Sequence, residues 1–175
     1  MAETVLVGLG ANLGDPLRAL RDALVELRRQ RPGLRASSAW ASAPVDCPPG
    51  SPDFVNAVAV FPAPPELDPH ACLALLQAME SAAGRQRGVR NAPRTLDLDL
   101  LCFGDRLLDS PALTLPHPRA HLRAFVLRPA AEIAPEMIWP GTDARIDELA
   151  RDVDGAGLRR LPDALGPHAA FTATD

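Results

Sequence analysis

Residues 85–103 read R-Q-R-G-V-R-N-A-P-R-T-L-D-L-D-L-L-C-F: four arginines (Arg85, Arg87, Arg90, Arg94) precede two carboxylates, Asp97 and Asp99, spaced two apart. Residues 95–103 are otherwise apolar and read as a strand. On a strand, residues i and i+2 share a face. Asp97 and Asp99 then project together while Leu98 and Leu100 turn to a core. On a helix the same pair diverges by about 200°, a poor geometry for shared work. Crowding two anions becomes tolerable when a divalent cation lies between them. A hard oxygen pair suits Mg²⁺, which keeps waters and shares its remaining positions with phosphate oxygens. Nearby arginines fit a ligand that is itself strongly anionic. The chemistry that results is a Mg²⁺–polyphosphate site. The plain alternative is a solvated strand face whose ion-pair partners are the arginines.

A second cationic cluster follows in P-H-P-R-A-H-L-R-A-F, where His117, Arg119, His121 and Arg123 fall within seven residues. Against these local concentrations of positive charge the whole chain carries −4. A general nucleic-acid binder draws its affinity from neutralising phosphates, so the clusters are aimed at a small anion.

The elements that must position these groups are legible in order. Residues 4–9 form an apolar, β-rich run ending in G-L-G-A-N-L-G-D. A dinucleotide fingerprint would need glycine where Leu13 stands, so the glycines read as a tight strand-to-helix turn with Asp15 as N-cap and Pro16 at N1. Leu17, Leu20, Leu24 and Leu27 give an amphipathic helix to about Arg31. Residues 34–43 read as a second strand, followed by a proline-stiffened loop. Residues 54–61 read as a third strand, interrupted by Asn56, whose amide needs partners from backbone or from a heteroaromatic ligand. Asp68 caps a helix that starts at Pro69 and ends near Gly84, with Gln77 and Glu80 along the side leading to the arginines. Residues 124–135 and 146–153 carry helical signals. Strand, helix, strand, strand, helix, strand predicts an α+β sandwich with a mainly antiparallel sheet, similar to the ferredoxin-like βαββαβ unit.

At 175 residues the chain is long enough for one domain with a real core. We expect that domain over residues 1–158 and a weakly ordered tail over 159–175. Three scattered cysteines (Cys47, Cys72, Cys102) without CxxC spacing suggest reduced thiols and no zinc site. With no signal-peptide pattern and no apolar run of transmembrane length, the expectation is a cytoplasmic, monomeric protein with no membrane or nucleic-acid partner. No Walker A sequence is present, which excludes a P-loop ATPase.

The segments P-D-F-V-N-A-V (52–58), E-S-A-A-G-R (80–85), N-A-P-R-T-L-D-L-D-L (91–100) and P-H-P-R…R-A-F-V-L-x-P (116–129) occur in one order. Together they closely resemble the 6-hydroxymethyl-7,8-dihydropterin pyrophosphokinases of folate biosynthesis, over about residues 4–140. The resemblance implies a ferredoxin-like α-β-α sandwich. It also implies transfer of an intact pyrophosphoryl group from ATP to the pterin hydroxymethyl oxygen, with AMP as the other product. Under it Asp97 and Asp99 hold two Mg²⁺ ions, Arg85 and Arg94 act on a catalytic loop, and Arg87, His117 and Arg123 serve the nucleotide phosphates. Gln77 and Glu80 match positions lining the ATP site. The pterin stacks between Phe54 and Phe125, with Asn56 at its pyrimidine-like edge, Ser42 to Val45 completing recognition and Asn12 near the reacting end. The chain departs from the family's common pattern at Asn91, Asp46, Phe54 and Pro118, and its arginine loop is one residue shorter. A catalytically silent nucleotide-binding module and a different Mg²⁺-dependent phosphotransferase remain as alternatives. An RNA-binding sheet would need exposed aromatics in a basic surround, and the chain has no tyrosine.

Overall fold

The computed structural model describes residues 2–45, 47, 49–84, 94–162 and 164–165. β1 (Thr4–Ala11) is the spine of the sheet, pairing antiparallel with β4 (Phe54–Pro62) on one side and β5 (Asp97–Phe103) on the other. Beyond β4 lie β2 (Arg35–Ala36) and β3 (Ala39–Ser42), and beyond β3 lies β8 (Arg159–Leu161), giving the order β5-β1-β4-β3-β8. Counting β2 and β3 as one strand, this is the ferredoxin-like order, with every ladder antiparallel. A small hairpin of β6 (Leu108–Asp109) and β7 (Thr114–Leu115) follows β5.

The first two helices begin where the capping residues predict. Asp15 accepts from the Arg18 amide at 3.0 Å and Asp68 from the Ala71 amide at 2.9 Å, each followed by proline at the helix start. α1 (Pro16–Gln30) buries Leu20, Ala23, Leu24 and Leu27, and α2 (Pro69–Ala82) buries Cys72 and Leu76. Both stripes close over one sheet face with Val5, Val7, Leu9, Leu98, Leu100 and Phe103. α3 (Ala124–Ile133) and α4 (Ile146–Asp152), with Trp139, close over the other face against Leu6, Val58, Val60, Leu101 and Cys102. The result is an α-β-α sandwich whose sheet is buried on both sides. That double burial explains why β1 and β4 read as near-continuous apolar runs.

Three local features differ from the sequence expectation. The second strand is broken at Ser37, whose hydroxyl accepts from the Val58 amide at 2.9 Å and so replaces a ladder carbonyl. In β5, Val7 pairs with Leu100 and Leu6 with Cys102, which leaves Leu101 as the extra residue of a bulge. The bulge sends Leu98, Leu100 and Phe103 to one core, and Leu101 with Cys102 to the other. Finally, the sheet continues past residue 158, because Arg159–Leu161 pair with Ala39–Ala41. Two arginines give no apolar alternation to read, yet charged side chains suit an edge strand. Among the described residues, no helix is long and apolar enough to cross a membrane.

Candidate active site

Strand register builds the site. Asp97 pairs with Gly10, Gly10 with Asn56 and Asn56 with Trp40, so these four stand in one row across the sheet. Asp99, Gly8 and Val58 form the next row on the same face. α3 covers this face over Leu6, Val58 and Val60, but it starts at Ala124 and leaves the Gly10 row open. The opening is a pocket of about 830 Å³, including the part continuous with solvent.

Glycine keeps that space clear. A Cβ on Gly10 would stand 3.5 Å from Asn56 Oδ1 and 3.9 Å from the Phe54 ring, and one on Gly8 would stand 3.4 Å from Leu101. Neither glycine has a left-handed φ; in this stretch only Gly14 does, at 65°. The turn reading therefore holds for Gly14, while Gly8 and Gly10 are strand residues chosen for absence of a side chain.

Asp97 and Asp99 both line the pocket, as the period-two spacing requires. The Arg94 guanidinium bonds Asp97 Oδ2. Behind them Glu80 is buried, and its Oε1 accepts from the Leu98 amide, between the two aspartates, at 2.7 Å. Burial first, then the charges of Asp97 and Glu80, push the Asp99 carboxyl up to about 7 against the pull of Arg94 and Arg123. A carboxylate so crowded by anions favours a bound cation, and two carboxylate oxygens at one pocket wall form a hard donor set that fits Mg²⁺. Among the described residues no third His, Cys, Asp or Glu joins them in a metal-binding group. Such an ion would take its other ligands from water or substrate, as Mg²⁺ ordinarily does.

Arg94 is held from behind by Asn12. Its amide donates to Asn12 Oδ1 at 2.7 Å, and its carbonyl accepts from the Asn12 and Leu13 amides at 3.0 and 3.2 Å. Asn12 Nδ2 reaches the Pro52 carbonyl at 3.2 Å. Asn12 is 3% exposed and is absent from the pocket wall. Its amide is spent on tying residue 94 and residue 52 to the end of β1.

On the strand that carries the aspartates, the Leu101 carbonyl accepts from the His117 amide at 2.8 Å, which brings His117 to the pocket. Burial, reinforced by Arg123 and Arg119, holds its pKa below the usual histidine range. Because Nδ1 accepts from the Arg119 amide at 3.3 Å, the neutral ring carries its proton on Nε2. Arg123 lies 5.4 Å over the Phe125 ring, and both line the pocket. Arg119 and His121 are not part of that wall; His121 packs against Trp139 at 6.1 Å.

The third wall is aromatic and amide. Phe54, Asn56, Ser42 and Val45 line it. Asn56 Nδ2 donates to Ser42 Oγ at 2.9 Å and to the Trp40 carbonyl at 3.3 Å, leaving Oδ1, above Gly10, as an acceptor on the pocket side. Cys47 and Leu101 also line the pocket and were not marked by any sequence signal. Gln77 is exposed on α2 and, like Glu80, is not part of the pocket wall. Arg85, Arg87, Arg90, Asn91 and Asp46 lie outside the described residues.

Residues 6–135 match the model of the 7,8-dihydro-6-hydroxymethylpterin-pyrophosphokinase family. A Pseudomonas aeruginosa 2-amino-4-hydroxy-6-hydroxymethyldihydropteridine pyrophosphokinase is 42% identical over 168 residues, covering 94% of this chain and 100% of its own. The Synechocystis enzyme of the same name is 41% identical over 154 residues, covering 85% of this chain and 75% of its own. Among solved structures, wild-type Plasmodium falciparum HPPK-DHPS with pteroate superposes with a TM-score of 0.67 at 14% identity. That likeness covers 86% of this chain and 42% of the longer one, and it bears on the fold alone. With one pocket joining the paired aspartates, Arg94, His117, Arg123 and the Phe54–Asn56 wall, the chain belongs to the 7,8-dihydro-6-hydroxymethylpterin-pyrophosphokinase family.

Proposed function

We infer that this chain transfers the β,γ-pyrophosphoryl group of ATP to 6-hydroxymethyl-7,8-dihydropterin, giving the pterin diphosphate and AMP in folate biosynthesis. The observation that carries it is the convergence, in one pocket, of a carboxylate pair with cations and an amide-bearing aromatic wall. The hydroxymethyl oxygen forms a bond to the β-phosphorus, the bridge to the α-phosphate breaks, and the hydroxyl proton leaves to solvent.

Asp97 and Asp99 would hold Mg²⁺, two ions in our reading, which supplies charge neutralisation and orientation for the triphosphate. Arg94, His117 through Nε2–H and Arg123 would bind phosphate oxygens. Arg85 and Arg87 would join them, with Gln77 on the ATP side. Phe54 and Phe125 would flank the pterin ring, and Asn56 Oδ1, its Nδ2 already committed, would accept from the pterin's amino edge. The chain offers positioning and charge neutralisation; no residue is assigned as a general base.

The test follows nucleotide products from ATP and Mg²⁺ with and without the pterin. AMP that appears only with the pterin, alongside a diphosphorylated pterin, supports the reading. ADP would mean γ-phosphoryl transfer, and ATP binding without product would mean a silent module. Asp97→Asn should lower turnover at least about a hundredfold, as loss of a preorganised charge does, with the fold retained by circular dichroism.

A further inference from the structure

A second cleft lies at the β3–β8 edge of the sheet. Trp40, Arg128, Gly155 and Leu158 enclose about 460 Å³ there, including the part open to solvent. Nothing in the proposed reaction uses it.

The electrostatics of the cleft are unbalanced. A helical arginine can pair with a carboxylate four residues on, and for Arg128 that residue is Glu132. Its carboxylate is taken elsewhere. Oε2 accepts from the Ser38 amide at 2.8 Å, while Oε1 accepts from Trp40 Nε1 at 2.9 Å and from Arg160 Nε at 3.0 Å. Glu132 is thus spent on fastening β3 and β8 to α3. Asp154, next to the cleft, accepts from the Ala156 amide at 2.9 Å. Arg128 makes no ion pair among the described residues, and its Nε is buried with no acceptor. Glu132 pairs directly with Arg160, and among the described residues no carboxylate pairs with Arg128. A desolvated guanidinium N–H without a partner is costly. Gly155 lies against the guanidinium, where a Cβ would come 3.5 Å from an NH₂ group, and its φ is not left-handed. The backbone does not demand glycine there, and its absent side chain leaves the guanidinium open to the cleft.

We propose that this cleft binds a small oxyanion carried on a flat apolar body, an aromatic carboxylate or aryl phosphate. The two NH₂ groups of Arg128, which are not enclosed as Nε is, grip two oxygens end-on as a fork. The Trp40 indole and Leu158 receive the apolar part.

The test titrates the full chain separately with benzoate and with phenyl phosphate, following the indole N–H resonances of Trp40 and of Trp139, which is buried in the α3–α4 core. A saturable shift at Trp40 with Trp139 unmoved supports the cleft. Arg123→Gln, at the phosphate side of the main pocket, should leave that shift in place, and Arg128→Gln should weaken it about tenfold or more. Arg128→Lys keeps the charge without the fork and should bind with intermediate affinity; it decides the matter if the glutamine variant fails to fold. Response to one probe alone names the oxyanion, carboxylate or phosphate. No saturable Trp40 shift with either probe, or equal affinity after substitution of Arg128, overturns the proposal.

Discussion

Asp99 carries more of the site's electrostatic strain than its spacing suggests. Its carboxyl is raised from 3.8 to about 7 by burial and by the neighbouring charges of Asp97 and Glu80. A carboxyl with a raised folded-state pKa binds its proton more tightly folded than unfolded, so its contribution to stability is present at low pH and lost as pH rises. Between about pH 4 and pH 7 the metal-free protein should lose stability through this group. Mg²⁺ needs the carboxylate ionised, so the rise in Tm on adding MgCl₂ should be larger at pH 8 than at pH 6. Thermal melts with and without Mg²⁺ at both values check this; an equal rise at both would mean that Asp99 does not control metal binding. Asn12 makes a second prediction at this scale. Asn12→Ala removes two partly buried hydrogen bonds, leaving the Arg94 amide and the Pro52 carbonyl without those partners. The cost should be about 1–3 kcal/mol in urea unfolding. Turnover should fall as well, because Arg94 is no longer fixed relative to Asp97. Unchanged turnover would return Asn12 to a purely structural role.

At the scale of elements, β1 does the most to shape the pocket, through what it omits. Gly8 and Gly10 lie opposite Asp99 and Asp97, where any side chain would occupy ligand space. Gly10→Val should fold normally, since its φ is not left-handed. It should raise the KM for the pterin about tenfold, since a branched side chain meets Asn56 and Phe54, and change the KM for ATP far less. Steady-state kinetics with each substrate varied in turn would separate the two. The helices were the readable elements: Asp15-Pro16 and Asp68-Pro69 announce their own starts, and the Leu20, Leu24, Leu27 stripe names its buried face. The β5 bulge was not readable, because L-D-L-D-L-L-C-F keeps a plausible alternation up to Leu101. The extra residue shows itself only in the register with β1.

For the molecule as a whole, the C-terminal segment closes the sheet. β8 covers β3, and Arg160 shares Glu132 with Trp40. A chain ending at Leu158 would expose the edge of β3 and loosen that network. Its Tm should drop by about 5 °C, as loss of one to two kcal/mol does in a domain of this size. Pyrophosphoryl transfer should persist, because β8 contributes nothing to the pocket wall. Differential scanning calorimetry and the AMP assay on the truncated chain check both halves.

The sequence by itself determined the chemistry. Two aspartates at i and i+2 in an apolar strand must share a face, arginines must gather where anions bind, and capped amphipathic stretches must become helices packed on a sheet. These follow from local geometry and charge, which the order of residues already contains. Only the tertiary structure decided what each neighbour does. Asn12 serves the Arg94 and Pro52 backbone at separations of 82 and 40 residues, Glu80 reaches Leu98, and Glu132 serves Ser38, Trp40 and Arg160 in place of Arg128. Hydrogen bonds of that kind depend on strand register and helix docking. The free energy of burying the whole core sets both, and no single stretch of sequence encodes either one.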